Sequence, residues 1–221
     1  MPDRIWSQVD DYLEDHLIGP DPVLDEVLAA SDAAGLPPIA VSPLQGRMLH
    51  LLARAVGARW ALEIGALAGY STIWVARALQ DGGRLVTLES DPRHAAVTSA
   101  NIEQAGLADR VEVRLGPAAR GLSELATVGA QFDFVFIDAD KRNTWTYFDA
   151  AVGLCRGGAL LVVDNLVARG DLVATRDPNA GGMRSFVENV GNDPRVEAVG
   201  IQTVGVKGHD GFALALVVGG S

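Results

Sequence analysis

Two apolar runs of strand length end abruptly in oxygen-bearing side chains, and together they constrain the fold more than any other feature. One is Phe132-Asp-Phe-Val-Phe-Ile-Asp138-Ala-Asp140-Lys141; the other is Leu160-Leu-Val-Val-Asp164-Asn165. An unbroken β-branched and aromatic run of this length reads as a parallel strand buried on both faces. In open α/β sheets, ligands bind in the crevice beyond the carboxyl ends of such strands. Asp138, Asp164 and Asn165 would therefore aim three hard oxygen donors at one crevice, with Lys141 beside them.

The rest of the chain supplies the sheet. From Trp60 onward, strand patterns near 60–65, 84–89, 111–115, 132–138 and 159–164 alternate with helical patterns near 70–80, 92–105, 118–128 and 143–155. That alternation predicts βαβ units and a parallel sheet. A helix near 182–191 precedes two β-rich runs, Val196–Thr203 and Gly211–Val218, joined by Lys207-Gly-His-Asp-Gly211. So short a connection permits only an antiparallel pairing. Ahead of the sheet lie helical segments at 4–18 and 21–34, then one opened by Ser42-Pro43 that runs to about Val56. The expectation is a single domain over 1–221, in which 1–58 is an N-terminal helical segment and 59–221 a Rossmann-like core. Val167–Met183 is the least structured stretch, either a gating loop or a plain connection.

Composition excludes several classes. A formal net charge of -10 without a basic run argues against a nucleic-acid partner and for a small-molecule one. Cys155 is the sole cysteine, so no internal disulfide is possible, which suits a reducing compartment. No secretory pattern opens the chain and no apolar run is long enough to span a bilayer as a helix, so a cytoplasmic protein without a membrane partner is expected.

The first strand runs into Glu63-Ile-Gly65-Ala-Leu-Ala-Gly69-Tyr70-Ser71, where glycines allow a tight turn above the next helix. Glu89 ends the second strand, the position suited to binding ribose hydroxyls. The turn lacks the middle glycine of a dinucleotide fingerprint, and no phosphate loop of the G-x-x-x-x-G-K-[ST] type occurs. A cofactor with a ribose and no phosphate fits better, and S-adenosyl-L-methionine is such a cofactor. Glu63 suits an aminoacyl ammonium more than a pyrophosphate.

The ordered set of Glu63…Gly65…Gly69-Tyr70-Ser71, Glu89, Gly116-Pro117-Ala118, Asp138-Ala-Asp-Lys141 and Asp164-Asn165 resembles the cation-dependent class I O-methyltransferases, the catechol and caffeoyl-CoA group. The resemblance implies a seven-stranded sheet, mostly parallel with the last strand antiparallel, and helices on both faces. It implies Glu89 on the ribose, Gly65 with the backbone around Val41 and Ser71 at the methionine end, and Ala118 against adenine. A homodimer is implied as well.

The chemistry follows from the donor set. A phenol with a pKa of about 10 is a poor nucleophile at neutral pH. A divalent cation acidifies a bound hydroxyl and orients it. All-oxygen ligands Asp138, Asp164 and Asn165 favour Mg²⁺, with Mn²⁺ or Ca²⁺ as alternatives, over zinc. Lys141 would act as the base, and Asp138 would serve the metal and the reacting groups together. The expected activity is methylation of a hydroxyl on a small catechol-like aromatic. Alternatives are another acceptor, nucleic acid included, or a non-catalytic cofactor-binding module. Trp145 and Tyr147 either line an aromatic pocket or belong to the core, the commoner fate of such residues on an amphipathic helix. The four histidines share no metal-ligand spacing and read as structural or exposed.

Overall fold

In the computed structural model, residues 2–173 and 178–219 are described. Helices α1 (Pro2–Leu17), α2 (Pro22–Ala33) and α3 (Pro43–Ala55) precede the sheet. Asp21 and Ser42 cap α2 and α3 by accepting from the amides of Leu24 and Gln45, each ahead of a proline at the first helical position. Strands β1 (Trp60–Ile64), β2 (Arg84–Glu89), β3 (Val111–Leu115), β4 (Phe132–Ile137) and β5 (Cys155–Asp164) then alternate with α4 (Tyr70–Ala78), α5 (Pro92–Gln104), α6 (Ala118–Thr127) and α7 (Thr144–Val152). Helix α8 (Pro178–Val190) leads to the hairpin of β6 (Val196–Gly205) and β7 (Gly208–Val217).

The seven strands lie in the order β3-β2-β1-β4-β5-β7-β6. Neighbours among β1 to β5 pair in parallel, and β7 runs antiparallel to both β5 and β6. This is the Rossmann-like sheet with an inserted antiparallel strand that the resemblance implies. The order changes direction between β1 and β4, and that switch point opens a crevice at the strands' carboxyl ends.

Successive residues of a strand face opposite sides of the sheet, and β4 is apolar on both from Phe134 onward. Val135 and Ile137 join one buried cluster with Phe148 and Phe186, while Phe134 and Phe136 join another with Leu49, Ile73 and Trp74. Each fully buried side chain of this size contributes about 1.5–3 kcal/mol, so the layers on both faces hold β4 in the centre. Among the described residues no helix is long and apolar enough to cross a membrane.

Three boundaries differ from expectation. Strand β5 begins at Cys155, before the Gly157-Gly158 pair, with a register shift against Phe132. The hairpin turn is Val206-Lys207, so Gly208 to Gly211 lie within β7 and not in a connection. Helix α8 starts at Pro178, earlier than the expected start near 182. A Cβ on Gly182 would collide with the backbone carbonyl of Lys141, so this glycine permits close packing of α8 on the turn Lys141–Asn143. The Val167–Met183 stretch is thus part turn and part helix; its residues 174–177 lie outside the described residues.

Candidate active site

The register of β4 and β5 builds the centre of the site. Ile137 pairs with Val163, so Asp138 and Asp164 emerge side by side from the ends of adjacent strands. Asp138 accepts from Lys141 Nζ at 2.9 Å. Asp164 is buried, with its Oδ1 accepting the Asn165 amide at 2.8 Å. Burial first, and then the charge of Asp138, push the Asp164 carboxyl up to about 7. Asn165 follows in the left-handed region, φ 55°, which asparagine tolerates better than most residues. Two neighbouring carboxyl groups, only one of them paired with the Lys141 ammonium, crowd acidic oxygens into a low-dielectric place. That set fits a hard divalent cation. Among the described residues no group of three His, Cys, Asp or Glu side chains is arranged to hold a metal, so the amide of Asn165 would have to complete the set.

Two cavities meet at Asp138 and Asn165. The first, about 480 Å³, lies over the β1 turn and is lined by Val41, Gly65, Tyr70, Ser71, Glu89, Ala118, Asp138 and Lys141. The second, about 500 Å³, lies between the α3 entry and the β6–β7 hairpin and includes Gln45, Met48, Asp164, Lys207, Asp210 and Phe212. Val41 lines both. One chamber can hold a nucleoside-sized ligand and the other a small acceptor, with Asp138 and Asn165 at the junction, Lys141 on the first cavity's side and Asp164 on the second's.

Glu89 has two tasks at the first cavity. Its Oε2 accepts from the amides of Ala66 and Leu67 at 3.1 and 3.0 Å, and its Oε1 from Asp91 at 2.9 Å. The carboxylate thereby fixes the β1 turn and still lines the cavity. His94 reaches within 3.7 Å of its Oε1 and lines the same wall, a location that spacing rules did not signal.

Most of the sequence-derived residues converge here, and two do not. Gly69 caps α4 beneath the turn and makes no part of the cavity wall. Glu63 is wholly buried, with its carboxyl accepting from Ser71 Oγ at 2.6 Å, Thr87 Oγ1 at 2.7 Å and Thr72 Oγ1. Burial, which outweighs these three donors, pushes it up to about 7. It braces β1, β2 and α4 from below.

Other residues complete the walls. Tyr147 is largely buried, as a core aromatic would be, yet its hydroxyl donates to Asp140 Oδ2 at 2.6 Å and lines the first cavity. Trp145 packs against Phe148. Asp10 of α1 accepts from the Val206 amide at 2.6 Å and closes the far wall of the second cavity. No local pattern could signal a contact between residues so distant in the chain.

The chain is similar to known proteins over nearly its whole length. The O-methyltransferase family profile matches residues 16–217. A catechol O-methyltransferase of Mycobacterium tuberculosis is 53% identical over 210 residues, 95% of this chain and 94% of that protein. The O-methyltransferase of Bacillus cereus, solved with S-adenosylhomocysteine, superposes with a TM-score of 0.95 at 48% identity, covering 97% of this chain and 99% of that one. An O-methyltransferase of tomaymycin synthesis from Streptomyces achromogenes, solved with S-adenosylmethionine, gives a TM-score of 0.95 at 44% identity over 99% of this chain and 100% of that one. The chain belongs to the O-methyltransferase family.

Proposed function

We propose that the protein transfers the methyl group of S-adenosylmethionine to one hydroxyl of a small vicinal dihydroxy aromatic, with a divalent cation, Mg²⁺ foremost, held by Asp138, Asp164 and Asn165. The observation that carries this reading is the meeting of the two cavities at Asp138 and Asn165, within reach of Lys141. The names and bound cofactors of the similar proteins support the cofactor and the catechol class.

When bound, the cation supplies Lewis acidity, which favours the ionised form of a nearby hydroxyl. The chain's own residues do the remainder. Gly65, Ser71 and Glu89 shape the first cavity and hold the cofactor. Met48 and Phe212 offer apolar surface in the second, suited to an aromatic ring. Lys141, in its neutral form, takes the proton of the hydroxyl that is to be methylated. The phenolate oxygen forms its bond to the methyl carbon as the carbon–sulfur bond breaks, leaving the thioether. Orientation of the two substrates at the junction of the cavities supplies most of the acceleration.

The test compares a catechol with its mono-hydroxy analogue, in wild type and in Asp164→Ala. The reading expects turnover of the catechol by wild type only. Equal turnover of both acceptors, untouched by Asp164→Ala, would sink the chelation reading.

A further inference from the structure

We propose that Asp210 is a positioning residue that determines which end of the Asn165 amide faces the crevice, and thereby makes Asn165 a cation ligand; this rests on the metal reading above. An asparagine amide has one accepting and one donating end, and only the oxygen can serve a cation. Asn165 Nδ2 donates to Asp210 Oδ2 at 3.2 Å. A carboxylate can only accept, so the opposite orientation would set two oxygens against each other. The Asn165 oxygen is therefore the end left for the cavities that the residue lines.

The Asp210 carboxylate is itself immobilised. Its Oδ1 accepts from the amides of Ala168 at 2.9 Å, Gly211 at 2.8 Å and Val167 at 3.3 Å. These donors come from the turn after β5 and from β7, the strand that pairs with β5. Leu166 donates to the Gly211 carbonyl at 2.9 Å and ties the same two segments again. The turn needs such ties, because Asn165, Ala168 and Arg169 all have left-handed backbone, with φ of 55°, 45° and 58°. Asp210 thus holds both the backbone that carries the ligand and the ligand's rotamer. The antiparallel strand between β5 and β6 is what brings this carboxylate to the end of β5, which gives the insertion of β7 a function in the site.

The test is Mn²⁺ binding by electron paramagnetic resonance, without cofactor or acceptor, alongside calorimetry of S-adenosylhomocysteine and thermal melting. In Asp210→Asn, the three backbone amides claim the new side chain's oxygen. Its amino group then faces residue 165 and turns that amide around. Mn²⁺ affinity should fall roughly 10- to 100-fold, with S-adenosylhomocysteine affinity and melting near wild type. Adding Asn165→Asp to Asp210→Asn should restore Mn²⁺ binding, because a carboxylate accepts from the amino group and keeps an oxygen for the ion. The same Asn165→Asp change alone opposes two carboxylates and should not improve binding. Unchanged Mn²⁺ affinity in Asp210→Asn overturns the proposal. So does a parallel loss of melting temperature and S-adenosylhomocysteine affinity that the double variant fails to repair, which marks a purely structural residue. A wild-type protein that binds S-adenosylhomocysteine but no Mn²⁺ overturns the metal reading and this proposal with it.

Discussion

Gly65 lies directly against the backbone carbonyl of Asp138, so close that a Cβ on the glycine would occupy the carbonyl's position. The Asp138 amide in turn donates to the Ile64 carbonyl at 2.9 Å. The turn that opens the first cavity and the strand end that carries Asp138 are thus one rigid unit at the switch point of the sheet. Gly65→Ala meets both this collision and a φ of 95°. It should destabilise the fold by roughly 2–4 kcal/mol and abolish cofactor binding, as read by urea unfolding and calorimetry with S-adenosylhomocysteine.

Glu89→Gln should leave the fold largely intact and weaken S-adenosylhomocysteine binding. The amide can keep its oxygen on Ala66 and Leu67, but its amino group then confronts the Asp91 amide, a donor facing a donor. Hydrogen bonds to a charged group are worth about 1.5–3 kcal/mol, so an affinity loss of about tenfold or more is expected. Calorimetry with unchanged affinity would remove Glu89 from the binding machinery.

Tyr147→Phe removes the donor that holds Asp140 Oδ2, while Asn143 Nδ2 still holds Oδ1 at 2.7 Å. The expected cost is a fall in cofactor affinity of a few fold, corresponding to about 1 kcal/mol. Thermal stability should change little, and a KM for S-adenosylmethionine equal to wild type would contradict this.

Glu63 gives the folded protein a pH dependence of definite sign. Its carboxyl titrates at 4.5 without the fold and near 7 within it, so the folded state holds that proton more tightly. The stabilising contribution is complete below pH 4.5 and is lost as pH rises through about 7. Glu63→Gln, whose neighbouring hydroxyls can rotate to suit an amide, should flatten the fall in melting temperature across that interval. Asp164 adds a slope of the same sign, so the variant is compared with wild type and not with a flat line. An unchanged profile would mean that Glu63 is ionised in its buried site.

The sheet was legible because β4 and β5 end in apolar runs, Phe134–Ile137 and Ala159–Val163, that stop where the chain leaves the core. That same abruptness disclosed Asp138, Asp164 and Asn165. Glu63 shows the limit of reading by proximity. Its place beside the turn suggests a ligand contact, but strand alternation puts it on the face of Ala61 and beneath α4, where Ser71 and Thr72 receive it. Asp210 and Asp10 escaped for another reason. Both act through contacts set by tertiary packing, whereas Tyr147, weighed between pocket and core, is buried like a core aromatic with its hydroxyl on the cavity wall. The early start of α8 was not legible because the tight packing of Gly182 against the Lys141 backbone is a tertiary contact.

The most direct test of the account is methyl transfer from S-adenosylmethionine to a catechol by wild-type protein, measured before and after EDTA and again after Mg²⁺ is restored. Loss of turnover with EDTA and recovery with Mg²⁺, at unchanged S-adenosylhomocysteine affinity, is the predicted result. Turnover indifferent to EDTA would contradict it and leave Asp138, Asp164 and Asn165 as hydrogen-bonding groups only.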